Sequence, residues 1–222
     1  MSIEQNILTL KNNLPQHVQL VAVSKTKPIS EIMQAYNTGH RAFGENKIQD
    51  MVDKFEQMPK DIEWHMIGHL QRNKVKYMAH FVHLIHGVDS LKTLIEINKQ
   101  ANKHDRVINC LLQVKIATED TKFGLNLSEI EHILNSNDFK ELENIKVCGF
   151  MGMGSFTSVE NVIREEFKVL KNIFDINKTD TTHNFTPTIL SMGMSGDYKI
   201  AIEEGSTMIR VGSSIFGARN YN

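Results

Sequence analysis

The 222-residue sequence predicts an α/β fold, specifically a single (β/α)8 TIM barrel with an extra helix at its N-terminus. Short apolar runs rich in β-branched residues recur along the chain, and each is followed by a segment in which apolar residues are spaced as in a helix. No linker or change of composition divides the sequence. Strands that alternate with helices form a parallel sheet, and eight such units are what a closed barrel requires. We therefore expect residues 1–222 to form one domain.

The predicted strands are short and mostly apolar. They lie at residues 18–24, 41–43, 63–67, 81–88, 107–114, 146–151, 188–192 and 208–211. Residues 20–23 and 110–112 are apolar without interruption, as expected where both faces of a parallel strand are buried. An open, doubly wound sheet is the competing architecture. The number of units and the lack of an early Gly-x-Gly-x-x-Gly turn favour the barrel.

Helices are predicted where apolar residues recur at positions i, i+3, i+4 and i+7. Residues 29–36 and 48–55 have this pattern, and residues 159–174 extend it over about four turns. Ser90 is placed to cap the next amphipathic helix. Apolar side chains within residues 3–10 predict the extra helix, which we expect to cover one end of the barrel or to pack beside the outer helices.

Composition and charge give no indication of a nucleic-acid or membrane partner. The 25 basic and 26 acidic residues give a net charge of -1, which offers no basis for a nucleic-acid or anionic-membrane partner. No apolar run approaches the length of about 18 residues that a membrane-spanning helix needs. The N-terminus lacks the features of a secretory signal. Cys110 and Cys148 lie in apolar runs, which suits unpaired thiols in a reducing compartment. We therefore expect a cytoplasmic protein.

Glycine and serine follow the last two predicted strands, with Gly-Met-Ser-Gly at residues 193–196 and Gly-Ser-Ser at residues 212–214. In α/β barrels these two loops commonly bind phosphate through backbone N–H groups and a helix N-terminus, and hydroxyls add further donors. Either loop alone is compatible with an ordinary turn, because Gly and Ser are frequent in turns. The pattern in both loops predicts a phosphate site.

Lys25 directly follows the first strand, and Pro28 suits the first turn of the next helix. A lysine at a strand end near a partly buried pocket loses its proton more readily and can act as an amine nucleophile. Most such lysines are simply solvated, and Lys27 is expected to be a surface charge of that kind. A reactive lysine that faces a phosphate site suits a phosphorylated aldehyde, and pyridoxal 5′-phosphate (PLP) is the commonest such ligand.

Five segments carry a family resemblance. They are VAVSKTKP at residues 21–28, FGEN at 43–46, EWHMIG at 63–68, LSMGMSGD at 190–197 and GSTMIRVGSSIFGAR at 205–219. In order and spacing they resemble the pyridoxal phosphate homeostasis protein family, the YggS/PROSC-like group, which is related to the N-terminal barrel of alanine racemase. The resemblance extends from the first strand almost to the end of the chain.

The resemblance implies a PLP site. Lys25 would hold the cofactor as a Schiff base, and Ser195, Gly212 and Ser213 would bind its phosphate. These phosphate ligands lie in the two loops that the barrel rule indicates independently.

Other positions follow from the same resemblance. Arg210 would face the pyridine nitrogen, Asn46 would lie near the cofactor, and Lys122 matches a further family lysine near the pocket. The sequence departs from the family pattern at His69 and Arg72, so the contacts of the loop after the third strand are not predicted.

The resemblance favours a binding protein over an enzyme. We expect a carrier or buffer for intracellular PLP homeostasis that releases PLP to apo-enzymes and performs no turnover. An arginine beside the pyridine nitrogen opposes its protonation and weakens PLP as an electron sink. A PLP-dependent amino-acid racemase or lyase with a minimal site is the alternative. A Schiff-base lyase that acts on a phosphorylated sugar without PLP is a third hypothesis.

The histidines do not predict a metal site. His65 and His69 are four residues apart, but residues 63–67 are predicted as a strand, and ligands at i and i+4 need a continuous helix. His83 and His86 lie on a predicted strand at odd spacing, so they are expected to face opposite sides.

Overall fold

In the computed structural model, which describes residues 2–117 and 123–218, eight parallel strands close into a barrel in chain order. The strands are β1 Gln19–Val23, β2 Ala42–Glu45, β3 Glu63–Met66, β4 Leu84–Val88, β5 Ile108–Val114, β6 Ile145–Gly152, β7 Phe185–Ser191 and β8 Met208–Val211. Pairing of β1 with β8 closes the barrel, with Gln19 opposite Met208. The structure confirms the predicted (β/α)8 TIM barrel.

Helices cover the outside of the barrel. They are α1 Ile3–Asn12, α2 Ile29–Asn37, α3 Ile48–Gln57, a 3-10 helix at Arg72–Tyr77, α4 Leu91–Asn102, α5 Leu127–Asn135, α6 Asn137–Lys140, α7 Glu160–Asn177, α8 Tyr198–Glu203 and α9 Ser213–Phe216. Among residues 2–117 and 123–218, none of the helices combines the length and the apolar character that a bilayer crossing requires.

The predicted extra N-terminal helix is α1. The hydroxyl of Ser2 accepts a hydrogen bond from the backbone N–H of Gln5 (3.2 Å) and caps the helix. The side chain of Asn6 donates to the carbonyl of Ile215 at 3.0 Å. The extra helix is thereby attached to α9, which follows β8.

Two strands, β4 and β7, begin three residues away from the predicted start, whereas the other strands begin within one residue of it. β4 begins at Leu84 rather than residue 81, because the chain before it folds into a turn that buries Met78 and Val82. β7 begins at Phe185 rather than residue 188. Pro187 lies where the register between β6 and β7 shifts, and such an irregularity tolerates a residue that cannot donate a backbone hydrogen bond.

Successive residues of each strand face the helices and the barrel axis in turn. Leu20 and Ala22 belong to the large apolar cluster beneath the helices, whereas Val21 belongs to a separate, smaller cluster. The buried members of this smaller cluster are Val21, Leu84, Leu111, Cys148, Met151 and Met208. They form the apolar filling of the barrel interior.

Four buried polar side chains also face the interior and form a hydrogen-bonded row. Arg210 donates to the hydroxyl of Ser191 at 2.6 Å, and this hydroxyl lies 3.2 Å from Nδ1 of His86. Nε2 of His86 lies 3.0 Å from Nδ1 of His65. We call these four residues the interior polar row. It extends from β8 to β3 through the middle of the barrel.

Acid is expected to destabilise the protein through its buried histidines. Burial lowers the pKa of His40 from 6.5 to about 4 and that of His65 to about 3, and it lowers the pKa of His86 well below 6.5. The unfolded chain therefore binds protons that the folded chain excludes. The free energy of unfolding is fully maintained above pH 6.5 and falls below it, by up to about 1.4 kcal/mol per pH unit for each histidine. Urea titrations at several pH values measure this slope.

The contribution of His40 can be isolated. Nε2 of His40 contacts the carbonyl of Ala42 at 2.8 Å, and His40→Gln retains a donor there but does not titrate. We expect the variant to lose stability less steeply with acid, by up to about 1.4 kcal/mol per pH unit. His132 is exposed, so His132→Gln is the control and should have the wild-type slope. A wild-type slope in His40→Gln would contradict the assignment.

Candidate cofactor site at the carboxyl ends of the strands

A cavity of about 890 Å³ opens at the carboxyl ends of the strands. All six residues that the sequence assigns to the site line it, namely Lys25, Asn46, Ser195, Arg210, Gly212 and Ser213. They come from the ends of β1, β2, β7 and β8. The predicted Lys122 lies outside the described residues.

Lys25 is half-buried at the sharp turn that follows β1. The backbone N–H of Lys27 donates to the carbonyl of Ser24 at 3.0 Å. Thr26 has a φ of 65°, in a left-handed region that β-branched residues rarely adopt. Ordinary strand or helix geometry does not continue past this point, so the turn sets the direction in which the Lys25 side chain leaves the backbone.

A buried ion pair supports the turn from below. The carboxylate of Glu45, at the end of β2, accepts hydrogen bonds from the Ser24 hydroxyl and the Lys54 ammonium, both at 2.6 Å. The same ammonium donates to the Ser24 carbonyl at 3.0 Å. Burial raises the pKa of Glu45, and Lys54 and Ser24 oppose that shift. The residue before Lys25 is thus held through both its side chain and its backbone.

The loop after β7 requires glycine at its first position. Gly193 has a φ of 98°, and a Cβ there would lie 2.6 Å from the Cβ of Ala201. Farther along the loop, the carboxylate of Asp197 accepts a hydrogen bond from the backbone N–H of Met194 at 2.5 Å. The loop is therefore held in one shape, with Ser195 on the cavity side.

The loops after β7 and β8 contact each other. The backbone N–H of Gly212 donates to the Ser195 hydroxyl at 3.2 Å, and Ser213 begins α9. Because α9 has only four residues, the site relies on individual N–H and hydroxyl donors more than on a helix dipole. These donors suit an anion with several oxygen atoms.

Arg210 brings a positive charge into the cavity wall although its side chain is only 3% exposed. Burial lowers the pKa of its guanidinium to about 10, an effect that the charge of Asp197 opposes. Arg210 therefore stays cationic at neutral pH. It donates to the Ser191 hydroxyl at 2.6 Å and to the Gly152 carbonyl at 3.0 Å, which leaves other N–H groups of its five for a ligand.

The remaining wall includes the loop after β3. A Cβ on Gly68 would lie 2.3 Å from the carbonyl oxygen of Asn46, so only glycine allows the loops after β2 and β3 to approach this closely. The ring of His69 stacks on Phe123, with centroids 5.0 Å apart, and its Nδ1 lies 3.6 Å from the Asp89 carboxylate. The structure thus supplies the contacts of His69 that the sequence leaves open.

Besides the Glu45–Lys54 pair, three residues near the cavity have no role predicted from the sequence, and the prediction for Lys27 is incomplete. Ser191 and Asp197 lie in a segment that carries the family resemblance but receive no role there, and His86 is set aside with the other histidines. The alternation of strand residues could have placed Ser191 on the barrel interior with Arg210. Lys27 is more than a surface charge, since it donates to the Phe216 carbonyl at 2.8 Å and pairs with Glu31 at 3.1 Å.

The barrel and its cavity define a class, the (β/α)8 barrels of the alanine racemase N-terminal type, and the family model "Alanine racemase, N-terminal domain" matches residues 1–220. The chain is 37% identical over 204 residues to the pyridoxal phosphate homeostasis protein of Aquifex aeolicus, covering 91% of this chain and 88% of that protein. It is 35% identical to the protein of the same name from Pasteurella multocida over the full length of both. The chain belongs to the pyridoxal phosphate homeostasis protein family.

Solved structures agree with this assignment. PipY of Synechococcus elongatus without PLP superposes with a TM-score of 0.91 at 31% identity, covering 97% of this chain and 100% of PipY. PipY with PLP bound gives a TM-score of 0.87 at 30% identity, with the same coverage. Alanine racemase of Clostridium difficile gives 0.79 at 14% identity, and this chain spans 57% of it. That last similarity concerns the fold alone.

Proposed function

We propose that this protein binds PLP in the carboxyl-end cavity, with Lys25 as the point of attachment, and serves as a cytoplasmic carrier or buffer of PLP. The observation that carries the proposal is the convergence of an amine, a buried guanidinium and several hydroxyl and N–H donors in one cavity. PipY has been solved with PLP bound, and the relatives are named for PLP homeostasis. Both support the same assignment.

The residues of the cavity fit the chemistry of PLP. Its volume of about 890 Å³ falls within the range of about 300–1,000 Å³ that is usual for cofactor sites. A phosphate group needs several donors, which the hydroxyls of Ser195 and Ser213 offer. The backbone N–H of Gly212 becomes a further donor when it exchanges the Ser195 hydroxyl for a phosphate oxygen. No atom lies within 4 Å of the position that a Cβ on Gly196 would take, so the space beside this loop is open. The guanidinium of Arg210 offers donors to the pyridine nitrogen, which is an acceptor.

Each residue then has a distinct task. PLP, when bound, supplies an aldehyde that reacts reversibly with an amine. Lys25 provides that amine, and the Glu45–Lys54 ion pair beneath Ser24 keeps it at the cavity mouth. Ser195 and Ser213 hold the phosphate end. Reversible attachment combined with a phosphate anchor lets the protein retain PLP and also release it.

We further propose that the barrel acts as one domain that retains PLP without turning over a substrate. Among the described residues that line the cavity, the titratable ones are Lys25, Lys27, His69, Asp197 and Arg210. Lys27 and Asp197 hold backbone groups, and half of the His69 side chain is exposed beside Asp89. Arg210 opposes protonation of the pyridine nitrogen. These features favour retention over proton transfer at an amino-acid substrate.

A transfer experiment tests the proposal. Protein loaded with PLP and freed of excess cofactor is mixed with an apo PLP-dependent enzyme, and we expect that enzyme to regain activity. Borohydride-treated protein, in which PLP can no longer leave, is the matched control and should restore none. In a parallel sample the loaded protein is incubated with L- and D-alanine in deuterated water. Retention of PLP in the first assay, or catalytic exchange of the α-proton in the second, would contradict a carrier without turnover.

A further inference from the structure

A second cavity, of about 530 Å³, lies at the amino ends of the strands, opposite the carboxyl-end cavity. Glu63, His65 and His83 line it, and each offers one potential ligand atom, with all three atoms within 4.8 Å of one another. The register of the sheet brings them together. His65 pairs with Leu84 across β3 and β4, and the backbone N–H of His83 donates to the Trp64 carbonyl at 2.9 Å.

His65 has a ring nitrogen without a partner. The residue is 2% exposed, and its Nε2 is buried and makes no hydrogen bond. Burying such a group without a hydrogen-bond partner is unfavourable. Its Nδ1 is used by His86, which lies two residues nearer the carboxyl end than Leu84. Because the two nitrogens lie on opposite sides of the ring, Nε2 faces the amino end, where Glu63 and His83 lie.

We propose that Glu63, His65 and His83 bind a divalent transition-metal ion, with Zn²⁺ as the best match. Two imidazoles and one carboxylate are a usual ligand set for zinc, and imidazole disfavours Mg²⁺ and Ca²⁺. Neutral imidazole is the form that binds metal, and the buried Nε2 of His65 has no hydrogen-bond partner to compete with a metal ion. The open cavity leaves room for a water molecule as a fourth ligand.

The geometry needs only small side-chain movements. Ligands about 2.0–2.1 Å from a tetrahedral zinc ion lie about 3.3–3.4 Å apart, so the present spacing of up to 4.8 Å must contract. Glu63 and His83 are both exposed and can rotate toward the buried His65. The rings of His65 and His83 are already stacked, with centroids 5.4 Å apart.

His86 is placed to form a hydrogen bond with the buried metal ligand His65. A metal ion at Nε2 of His65 requires a proton on Nδ1, and Nε2 of His86 lies 3.0 Å away to accept it. Metal-bound histidines usually donate their other ring N–H in this manner, which fixes the ring. His86 can donate in turn from Nδ1 to the Ser191 hydroxyl, 3.2 Å away. The interior polar row thus orients the buried ligand.

The charges near this site are mixed. Lys11 and Arg41 also line the cavity. Arg41 is engaged elsewhere, because its guanidinium pairs with Asp61 at 2.7 Å and lies over the ring of Tyr36. The carboxylate of Glu63 offsets part of the charge of the metal ion. His40 also lines the cavity, but among the described residues the ligand atoms that lie close together belong to Glu63, His65 and His83.

The proposal is tested by measuring how tightly the tag-free protein binds zinc in competition with a chromophoric chelator. We expect one zinc ion per wild-type chain and at least about tenfold weaker binding by Glu63→Gln and His83→Gln, since even outer-sphere partners contribute about 10–100-fold. Both residues are exposed, so the variants should fold. The exposed His132 provides the control, and His132→Gln should bind as the wild type does.

Two further measurements test where the metal ion binds. X-ray absorption of the zinc complex should show nitrogen and oxygen ligands that include two imidazoles. Lys25→Ala should bind zinc with wild-type affinity, because its site lies at the other end of the barrel. Equal zinc affinity of wild type, Glu63→Gln and His83→Gln would overturn the proposal. So would sulfur ligation by Cys110 or Cys148, or loss of zinc in Lys25→Ala.

Discussion

Lys25→Ala is expected to reduce covalent attachment of PLP from one adduct per chain to none. The substitution removes the amine that the proposed chemistry requires, and leaves the proposed phosphate ligands Ser195, Gly212 and Ser213 in place. The visible absorbance of bound PLP should disappear with the adduct. Borohydride reduction followed by peptide mass spectrometry measures both the amount of adduct and its position.

Two matched variants test whether the adduct depends on the amine of Lys25, rather than on its positive charge or on the neighbouring lysine. Lys25→Arg retains a positive charge at the turn but offers no reactive amine, so it should behave as Lys25→Ala does. Lys27→Ala removes the other lysine that lines the cavity in the described part of the chain, whose ammonium is bonded to the Phe216 carbonyl, and should keep the adduct. An adduct on Lys27 or Lys122 in the wild type would overturn the assignment of Lys25.

Lys54→Met is expected to lower the free energy of unfolding by about 3–5 kcal/mol, the usual result of leaving one partner of a buried ion pair alone. The Glu45 side chain is fully buried and that of Lys54 is 11% exposed, so water cannot replace the lost ammonium. The Ser24 carbonyl also loses its donor. Urea unfolding at neutral pH measures the change.

The pH dependence and a double variant identify the unpaired carboxylate as the cause. In Lys54→Met the folded-state pKa of Glu45 lies further above the unfolded value, because burial raises it and Lys54 no longer opposes the shift. The penalty should therefore be largest above the folded pKa and shrink as the pH falls. Glu45→Met combined with Lys54→Met removes the charge and should recover most of the loss. A loss below about 0.5 kcal/mol in the single variant would contradict this role of the pair.

The carboxyl-end site could largely be predicted from the sequence. Lys25 and Asn46 follow β1 and β2, while Ser195 and Gly212 lie in the loops after β7 and β8. In a parallel barrel all carboxyl strand ends lie at one end, so residues distant in the chain must converge there. The prediction requires only the order of strands and helices, which local apolar spacing reveals. For that reason it survives errors of a few residues in strand boundaries, as at β4 and β7.

The contacts between strands could not be predicted in this way. The sequence places His83 on a strand with His86, whereas the structure begins β4 after His83 and brings this residue beside His65. The meeting of Glu63, His65 and His83 depends on the register between β3 and β4, which no local pattern encodes. A shift of one residue would turn each side chain to the opposite face of the sheet.

The sequence by itself determined the barrel, its extra helix α1 and the end at which Lys25 and the loops after β7 and β8 lie, because these follow from local periodicity and the direction of parallel strands. Only the tertiary structure decided how Arg210 is joined through Ser191 and His86 to His65. It also decided that Glu45 and Lys54 meet beneath Ser24. Such contacts join side chains far apart in the chain, and their geometry depends on the stagger of the strands and on close packing inside the closed barrel.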